Sequence, residues 1–496
     1  MLLSALIVHG NITDDLSITT VLPIPKGKNL NFSDSANYRG IALSSIVGKI
    51  LDLYILCRYE RLLASSHLQF GFKAGHSTSM CTMVLKETIE HYRHNNSNVF
   101  LRFLDASKAF DRVAYCKLVR LLIDKKMPAV IVRFLLAMYV SHLTSVSWNN
   151  CHSKRFSVRN GVRQGAIISP VLFCVYLDVL LSRLDSQGVG CRIGSLFVGA
   201  LAYADDLALV APSANSMRNM LRICDEFAAQ FNVVFNATKS KCIRCLSVGA
   251  PRHICHFTTL PSFCIGSQVI EYVDKWPHLG HIITTDCDDA EDIRKSKLNF
   301  IGQSNKIVFN FRNVDSATKT KLFKAYCTSF YGAEIWDLSH RAIESLCVAW
   351  RKGPRQVWGI PRATHTFLLP FLCESLPLTD FFFKRMLNFV QKCLTSESPL
   401  VSFVVKNAIL NSQADSIVGR NVIQCCSRYH VNFEDILQSS FRHFDIARRV
   451  SYSDTQVATA NCLIELLACR DGALQLSHGA FDALDVADLI NCICTG

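Results

Sequence analysis

The sequence predicts an α+β fold in which a mixed sheet domain precedes a helical C-terminal region. Up to about Ile283, short apolar runs of strand type alternate with helical patterns, which is typical of a sheet packed against helices. From Asp286 onward, apolar residues such as Ile293 and Ile301 recur at helical spacing among basic residues. A third observation, an acidic pair enclosed by two apolar runs, indicates where the functional site of the sheet domain lies.

The acidic pair is Asp205 and Asp206, which lie between the apolar residues 200–202 and 207–210. This order predicts a β-hairpin that carries both acids at its tip. Buried carboxylates are costly unless they are paired or bind a metal ion, although an acidic pair in a turn is also consistent with a solvated loop. Neighbouring strand residues point to opposite faces, so the two acids are not equivalent metal ligands and a third carboxylate is needed.

Asp105 is the candidate for that third carboxylate. It ends the apolar run 99–104, which predicts a strand, and residues 106–111 are then expected to turn into a helix. The alternative is that Asp105 only caps that helix. A carboxylate at a strand end beside an acidic hairpin is what two-metal phosphoryl transfer requires, with ions about 3.5–4 Å apart. We therefore expect two Mg²⁺ ions, or Mn²⁺ in their place, because such ions prefer hard oxygen ligands.

A glycine-rich loop follows in the sequence. Gly161 and Gly165 permit a close backbone approach, while Arg163 and Gln164 present planar groups with several hydrogen-bond donors. Ser169 and the proline after it predict the cap and first turn of an apolar helix. A plain loop-to-helix junction explains the proline but not the Arg-Gln-Gly order.

In order and spacing, these segments resemble the consecutive motifs of a reverse transcriptase from a non-LTR, LINE-type retrotransposon, and the jockey-like elements are the most similar. The resemblance runs from about Val21 to about Ile283 and weakens beyond it. Seven ordered motifs coincide, so the signal is specific. The matching segments are residues 37–43, 69–72, 103–111, 160–170, 203–206, 236–240 and 278–282.

The resemblance implies a right-hand polymerase with fingers, palm and thumb. We expect fingers and palm over residues 21–285, a helical thumb and connector over 286–375, and a helical C-terminal region of unknown role over 376–496. Related elements carry an endonuclease before the polymerase, and residues 1–20 do not match one. These residues are interpreted as the remnant of a truncated N-terminal region.

The resemblance also assigns roles to individual residues. Asp105, Asp205 and Asp206 are the expected catalytic residues and metal ligands. The expected nucleotide-binding residues are Arg39, Phe110, Arg163, Gln164, Gly165 and Lys239. Within this set, Arg39 is expected in a loop, where it would clamp the triphosphate, and Phe110 would exclude a 2′-hydroxyl. A primer grip is expected at His278, Leu279 and Gly280.

Each of these roles has a structural alternative. Arg39 is also consistent with an exposed surface arginine, and Phe110 with core packing. Lys239 fits equally a proton donor to the leaving pyrophosphate and a partner of a palm acid. Gly280 is also consistent with an ordinary strand glycine. Residues 350–361, which are basic and aromatic, either grip RNA or form a turn that packs helices together, and packing is the slightly favoured interpretation.

The charge of the chain agrees with a nucleic-acid partner. The formal net charge is +13, and basic residues cluster in the N-terminal part and again after residue 290. Two basic stretches on either side of an acidic centre suit a cleft that holds a duplex by its phosphates. The expected partners are an RNA template, a DNA primer and deoxynucleoside triphosphates.

The chain carries 22 cysteines scattered through apolar runs, which predicts free thiols rather than disulfides. It has no signal peptide pattern and no apolar run long enough for a membrane span, so we expect it in the nucleus and cytoplasm. A zinc site is a minor alternative, and the four C-terminal candidates Cys469, His478, Cys492 and Cys494 do not form a recognisable knuckle. The zinc candidates are Cys242, Cys245, His253, Cys255 and His256.

The resulting prediction is an RNA-directed DNA polymerase that extends a DNA primer by two-metal nucleotidyl transfer during retrotransposition. The alternative is a catalytically inactive nucleic-acid-binding product of a degenerate retroelement. The three acids argue against decay of the catalytic centre without excluding it.

Overall fold

The structure, a computed structural model, describes residues 2–10, 12–27, 30–250, 260–411, 413–475 and 490–494. The chain divides into two compact units. The first contains Met1–Cys81 and Asn95–Asp274, and the second contains Thr82–His94 and Lys275–Gly496. The mixed first unit and the helical second unit confirm the predicted α+β fold class with a helical C-terminal region. Compactness does not test the names fingers, palm and thumb, so those boundaries stay predictions.

The first unit combines helices and strands. Its helices span Leu2–His9 (α1), Asp14–Ser17 (α2), Ile46–Leu63 (α3), the start of Thr78–His94 (α4), Tyr115–Asp124 (α5), Ala129–Val140 (α6), Ser169–Ser186 (α7) and Ala214–Phe231 (α8). Its strands span Ile18–Pro25 (β1), Tyr38–Leu43 (β2), Val99–Leu104 (β3), Leu143–Trp148 (β4), Cys151–His152 (β5), Phe156–Ser157 (β6), Arg192–Ile193 (β7), Leu196–Phe197 (β8), Ala200–Tyr203 (β9), Asp206–Ala211 (β10), Lys241–Cys245 (β11), Cys264–Ile265 (β12), Gln268–Val269 (β13) and Glu271–Tyr272 (β14).

Two larger sheets organise this unit within the described residues. One has the order β14-β11-β3-β10-β9, and the other has β2-β1-β4-β5 with β6 also paired to β4. Strand β3 is central in the first sheet, and all six of its residues are buried. Its one charged member, Arg102, places its guanidinium 4.5 Å from the centre of the Phe263 ring. A fully buried central strand provides a rigid base for whatever follows its last residue.

The helices of this unit follow local sequence rules. Helix α8 begins after Ser213, whose hydroxyl accepts a hydrogen bond from the Ser216 N–H, and it ends at Asn232 in the left-handed conformation. Helix α7 carries a proline in its first turn, as predicted, but Ile168 is its N-cap and the predicted cap Ser169 lies inside the helix. The Ile167 and Ile168 N–H groups donate instead to the buried carboxylate of Asp52, at 3.0 and 3.3 Å.

Among its described residues, the second unit is helical apart from one hairpin. Besides the rest of α4, its elements span Lys275–His278 (β15), His281–Thr284 (β16), Ala290–Asn310 (α9), Ser316–Cys327 (α10), Ala342–Trp358 (α11), Leu368–Leu372 (α12), Leu378–Leu394 (α13), Pro399–Leu410 (α14), Ile417–Tyr429 (α15), Phe433–Leu437 (α16), Asp445–Arg449 (α17) and Asp454–Gln475 (α18). Its core is rich in aromatic residues, among them Phe323, Trp336, Trp358 and Phe382. The buried Lys86 ammonium binds Asp289 at 2.6 Å within this unit.

The structure corrects three local expectations. Arg39 lies on strand β2 rather than in a loop, because it joins the antiparallel ladder opposite Ile24. Residues 106–109 are not helical, since Ser107 donates its N–H to Val234 and Ala106 bridges to Phe235. Only a 3₁₀ turn, Phe110–Arg112, precedes α5, so Asp105 is not the cap of an adjoining helix.

Residues 350–361 are mostly helical rather than a turn. They form the end of α11, and Trp350 and Trp358 are buried in the helical core. Because both indole rings are buried, packing between helices explains this segment better than contact with RNA does.

Cysteines described by the structure are all free thiols, as predicted. Strand β11 carries Cys242 and Cys245, while the zinc candidates His253, Cys255 and His256 lie outside the described residues, as do the side chains of Cys469 and His478. In the part of the chain that is described, we find no helix with the length and apolar character that crossing a bilayer demands.

Candidate active site

The acidic pair lies on the hairpin that the sequence predicts. Strands β9 and β10 pair antiparallel with Tyr203 opposite Asp206, so Ala204 and Asp205 form a two-residue turn between them. Ala204 adopts φ of 59°, in the left-handed region that residues with a side chain seldom occupy. Asp205 is half-buried in the turn, and Asp206 is exposed at the first position of β10.

Asp105 lies at the same end of the sheet as this turn. Strands β3 and β10 pair antiparallel with Leu104 opposite Leu207, so the residue after Leu104 and the residue before Leu207 are neighbours across the ladder. The backbone of Asp105 is held on both sides. Its N–H donates to the Ser240 hydroxyl at 3.2 Å, and its carbonyl accepts the Asn236 N–H at 2.8 Å.

The three acids interact electrostatically. Partial desolvation and the nearby charges of Asp205 and Asp105 together raise the pKa of Asp206 to about 6. Burial also raises the pKa of Asp205, with a contribution from Asp105, whereas the positive charge of Arg39 lowers it. The acids therefore share a negative field that a bound cation would relieve.

The donor set matches a hard cation without forming a closed cage. Within the described residues, no three His, Cys, Asp or Glu side chains are close enough together to hold an ion by themselves. Asp105, Asp205 and Asp206 supply carboxylate oxygens from one end of two adjacent strands. Mg²⁺ keeps several waters and commonly combines one or two carboxylates with substrate phosphates, so an open set of this kind fits it.

Arg39 and Lys239 are exposed residues of this unit. The charge of Arg39 acts on Asp205, so the arginine of β2 is near the acidic turn. Lys239 belongs to the turn before β11, and its N–H donates to the Asn236 side chain at 3.1 Å. That turn is the one that holds the Asp105 backbone.

The glycine-rich loop packs against the segments that carry two other candidates. The Val162 N–H donates to the Phe110 carbonyl at 2.8 Å, and the Ala42 N–H donates to the Gln164 carbonyl at 2.7 Å. Gly165 has φ of 124°, and a Cβ there would lie 2.6 Å from the Ala42 carbonyl oxygen. The loop therefore links β2 to the turn after Asp105, and it requires glycine at this close approach.

Arg163 occupies a different position from the other loop candidates. Its guanidinium is buried and donates to the carbonyls of Leu16 and Met138 at 3.1 and 2.8 Å. These bonds make it an anchor between chain segments. The nucleotide-binding role of Arg163 stays a prediction, and the function proposed below does not rely on it.

Phe110 is partly exposed and partly packed. One face of its ring stacks on Phe173 of α7, with centroids 4.9 Å apart and an interplanar angle of 16°. The geometry thus combines features of both interpretations of this residue, core packing and contact with a nucleotide sugar.

The predicted primer grip is a separate hairpin in the second unit. Strands β15 and β16 are joined by Leu279 and Gly280, with φ of 50° and 87°. The Tyr331 hydroxyl donates to the Leu279 carbonyl at 2.9 Å. His278 and His281, on either side of the turn, are both buried.

Two residues of the first unit, Asp52 and Gln69, carry roles that the motifs alone do not indicate. Asp52 accepts the two N–H groups that precede α7, and it is an acid within an otherwise apolar stretch of α3, which is a detectable signal. Gln69 contacts the acidic turn directly with its side chain. Gln69 lies in one of the motifs that match the family, but nothing in the sequence indicates which atoms its side chain binds.

Comparison with known proteins gives a family match and several relatives. The family described as reverse transcriptase (RNA-dependent DNA polymerase) matches residues 24–303. The Pol polyprotein of retrotransposable element R2DM from Drosophila melanogaster is 27% identical over 295 residues, which cover 57% of this chain and 27% of that protein. The RNA-directed DNA polymerase of mobile element jockey from Drosophila funebris is 23% identical over 351 residues, which cover 66% and 36%.

A further relative and two solved structures complete the comparison. The Pol polyprotein of element R2 from Popillia japonica is 26% identical over 268 residues, covering 53% of this chain and 37% of that protein. The chain therefore spans about a quarter to two fifths of the length of these relatives. Apo telomerase from Candida tropicalis aligns at 10% identity with a TM-score of 0.40, covering 85% of this chain and 68% of that one. Telomerase from Candida albicans has 10% identity and a TM-score of 0.35, with coverage of 79% and 66%.

Proposed function

The chain belongs to the reverse transcriptase family, and we propose that it is an RNA-directed DNA polymerase that extends a DNA primer during retrotransposition. The predicted kinship with reverse transcriptases of non-LTR retrotransposons is confirmed by the family match and by the R2 and jockey relatives. Family membership also makes the fold a right-hand polymerase. The activity, the substrates and the residue roles described below are proposals.

One observation supports the proposal above all others. Asp105 and the Asp205–Asp206 pair, which are far apart in sequence, meet at one end of two adjacent antiparallel strands. Packing does not require three carboxylates there, because burial and mutual repulsion raise the pKa of both hairpin acids. A site that lowers its own stability in this way is typical of a functional centre.

The three acids would hold two Mg²⁺ ions, or Mn²⁺ in their place. Bound there, the metals supply activation of the primer 3′-hydroxyl and neutralisation of charge at the departing pyrophosphate. The chain itself contributes position. Asp105 is clamped through its backbone, Asp205 is held in a turn, and Asp206 starts a strand. Such positioning and charge neutralisation account for most of the catalysis in phosphoryl transfer.

The nucleotide would lie between β2 and the acidic turn. Arg39, exposed and near Asp205, is suited to bind the triphosphate through a guanidinium that stays charged. Gln164 and Gly165 belong to the loop whose backbone binds both β2 and Phe110, and the partly exposed Phe110 ring would meet the sugar. Lys239, exposed on the neighbouring turn, would reach the phosphates or a palm acid.

The proposed substrates are an RNA template, a DNA primer and deoxynucleoside triphosphates. The net charge of +13 favours a polyanionic partner, and the hairpin of His278, Leu279 and Gly280 is the proposed primer grip. Residues 21–285 would form fingers and palm, and residues 286–375 the thumb. The cytoplasm and nucleus are the proposed compartments, since template RNA and target DNA are found there.

Primer extension on an RNA template tests this function. We expect the purified chain to add deoxynucleotides to an annealed DNA primer with Mg²⁺, and Asp105→Ala to abolish extension while template-primer binding is retained. Asp124→Ala is the matched control, because it removes one carboxylate from an exposed helix end of the same unit. Extension by Asp105→Ala at the parent rate would refute the catalytic assignment. Binding without extension by the parent would favour the inactive nucleic-acid-binding alternative.

A further inference from the structure

The acidic turn is supported along the outer edge of its hairpin. Residues 68–70 run beside β9, where the Phe70 N–H donates to the Ala202 carbonyl at 2.8 Å and the Ala202 N–H donates to the Leu68 carbonyl at 2.9 Å. Gln69 and Ala202 form a parallel bridge between these bonds. The segment therefore pairs with β9 through a single bridge at the edge of the sheet that carries the acids, and it places the Gln69 side chain at the turn.

Gln69 binds the turn through both ends of its amide. Its Oε1 accepts the Ala204 N–H at 2.9 Å and the Gly71 N–H at 2.8 Å, and its Nε2 donates to the Ala204 carbonyl at 3.3 Å. The residue has no exposed surface. A buried polar side chain is stabilising only when its groups are satisfied, and here the partners are donors and acceptors of the turn itself.

The turn needs this support because its backbone is unusual. Ala204 has φ of 59°, a conformation that an alanine does not favour by itself. Gly71 approaches it so closely that a Cβ there would lie 2.4 Å from the Ala204 nitrogen. The next residue after Ala204 is Asp205, so the orientation of that carboxylate depends on the backbone that Gln69 holds.

We propose that Gln69 is a positioning residue for the catalytic acids, acting through Ala204 rather than by touching substrate or metal. The inference rests on the proposed polymerase function. Without the amide, Ala204 would lose both of its side-chain hydrogen bonds, and Asp205 would sample orientations that do not bind metal. Residues that orient metal ligands in this way commonly contribute about 10–100-fold in metal affinity or activity.

The test uses Gln69→Met, which keeps the length of the side chain and removes its hydrogen bonds. We expect kcat for primer extension to fall about 10–100-fold, the Mg²⁺ concentration for half-maximal activity to rise, and template-primer affinity to stay unchanged. Metal binding is measured independently of activity by titrating Mn²⁺ into the protein and following free Mn²⁺ by electron paramagnetic resonance. The variant should bind Mn²⁺ more weakly.

The matched control is Asn98→Ala. The Asn98 side chain accepts the Ser247 N–H at 3.1 Å just before β3, at the opposite end of that strand from Asp105. The Asn98→Ala substitution removes a side-chain hydrogen bond to the backbone in the same unit. It should therefore lower thermal stability while kcat and Mn²⁺ affinity stay at parent values. A Gln69→Met protein with parent kcat and parent Mn²⁺ affinity would overturn the proposal. The proposal would also be overturned if Asn98→Ala, at the same thermal stability as Gln69→Met, lost as much kcat and Mn²⁺ affinity.

Failure of the proposed function and failure of the role of Gln69 give different results. If the parent chain shows no extension, the proposed function fails, and the Mn²⁺ titration of parent against Gln69→Met still decides the role of Gln69. If Gln69→Met does not fold, hydrogen exchange of the parent decides instead. The Ala204 amide should then exchange far more slowly than the amides of the exposed turn at Gly194 and Ser195, between β7 and β8. Equal exchange at the two turns would overturn the proposal.

Discussion

Two hairpins with two-residue turns differ in what they demand of their sequence. The turn at Ala204 and Asp205 lies on a sheet of the first unit, and its left-handed residue is an alanine held by the Gln69 amide. The turn at Leu279 and Gly280 belongs to an isolated pair of strands in the second unit. A glycine occupies its tightest position, and a tyrosine hydroxyl binds its backbone.

The two turns differ in whether glycine is present at a positive-φ position. The β15–β16 turn has glycine at one of its two positive-φ positions, where glycine is tolerated without strain, and Leu279 with φ of 50° at the other. The β9–β10 turn has an acid and an alanine where glycine or asparagine would be easier, so its conformation is imposed by its surroundings. Local strain that the surroundings impose is a feature of functional sites.

The largest expected effect is a crossover between the two turns. Asp205→Ala should reduce primer extension about 1,000-fold without loss of thermal stability, because it removes a carboxylate whose pKa burial raises. Gly280→Ala should have the opposite effects: turnover should stay near the parent value, and stability should fall. A Cβ there would meet the Tyr331 ring at 2.7 Å at φ of 87°, so unfolding free energy should fall by about 1–3 kcal/mol.

Thermal melts and primer extension on both variants check this crossover. The rate should be measured with primer-template saturating, so that weaker binding by Gly280→Ala does not count as lost catalysis. The predicted contrast between the two turns would be wrong if Gly280→Ala lost as much turnover as Asp205→Ala. It would also be wrong if Asp205→Ala were the less stable of the two proteins.

A smaller effect is expected for sugar selection near the acidic turn. Phe110→Val should improve ribonucleotide incorporation relative to the parent while deoxynucleotide incorporation stays measurable, because the phenyl ring would no longer clash with a 2′-hydroxyl. The change also removes the stacking on Phe173, so some stability is lost in either case. The measured quantity is the ratio of the two incorporation rates in folded protein. An unchanged ratio would leave Phe110 as a packing residue only.

The smallest expected effect is an opposite response of the hairpins to acid. Asp206 has its pKa raised from 3.8 to about 6, so the metal-free folded state binds a proton more tightly and gains stability as pH falls through that range. His278 is buried, and its pKa is lowered from 6.5 to about 3, with a contribution from His281. Its unfolded form binds the proton first, so stability is lost as pH falls below about 6.5.

Hydrogen exchange of peptides covering each turn, corrected for the intrinsic effect of pH, measures both responses. Between pH 7 and 5 the β9–β10 turn should become better protected and the β15–β16 turn less protected. Asp206→Asn should remove the response of the β9–β10 turn and leave that of the β15–β16 turn. The response of the β9–β10 turn should be small, because Asp206 is exposed and solvent screens its charge. Parallel responses of the two turns would contradict the assignment of these groups.

Much of the site could be predicted because its signals are local. An acidic pair between apolar runs predicts a hairpin, and an apolar run that ends in Asp105 predicts a strand end. Both elements are present. Other expectations failed where a tertiary partner overrides a local pattern. Residues 106–109 have helix-forming neighbours but bond to Val234 and Phe235, and Arg39 joins a ladder opposite Ile24.

The order of the motifs therefore sufficed to indicate the family, the acids and the chemistry that they suit, since strand and turn patterns depend on neighbouring residues. The burial of Arg163 against two distant carbonyls, the Asp52 carboxylate ahead of α7 and the Gln69 clamp on Ala204 could not be anticipated. Each joins residues that are 25 to 147 positions apart. Such pairs become neighbours only when strands and helices pack, and a one-dimensional pattern carries no record of which side-chain atoms then meet.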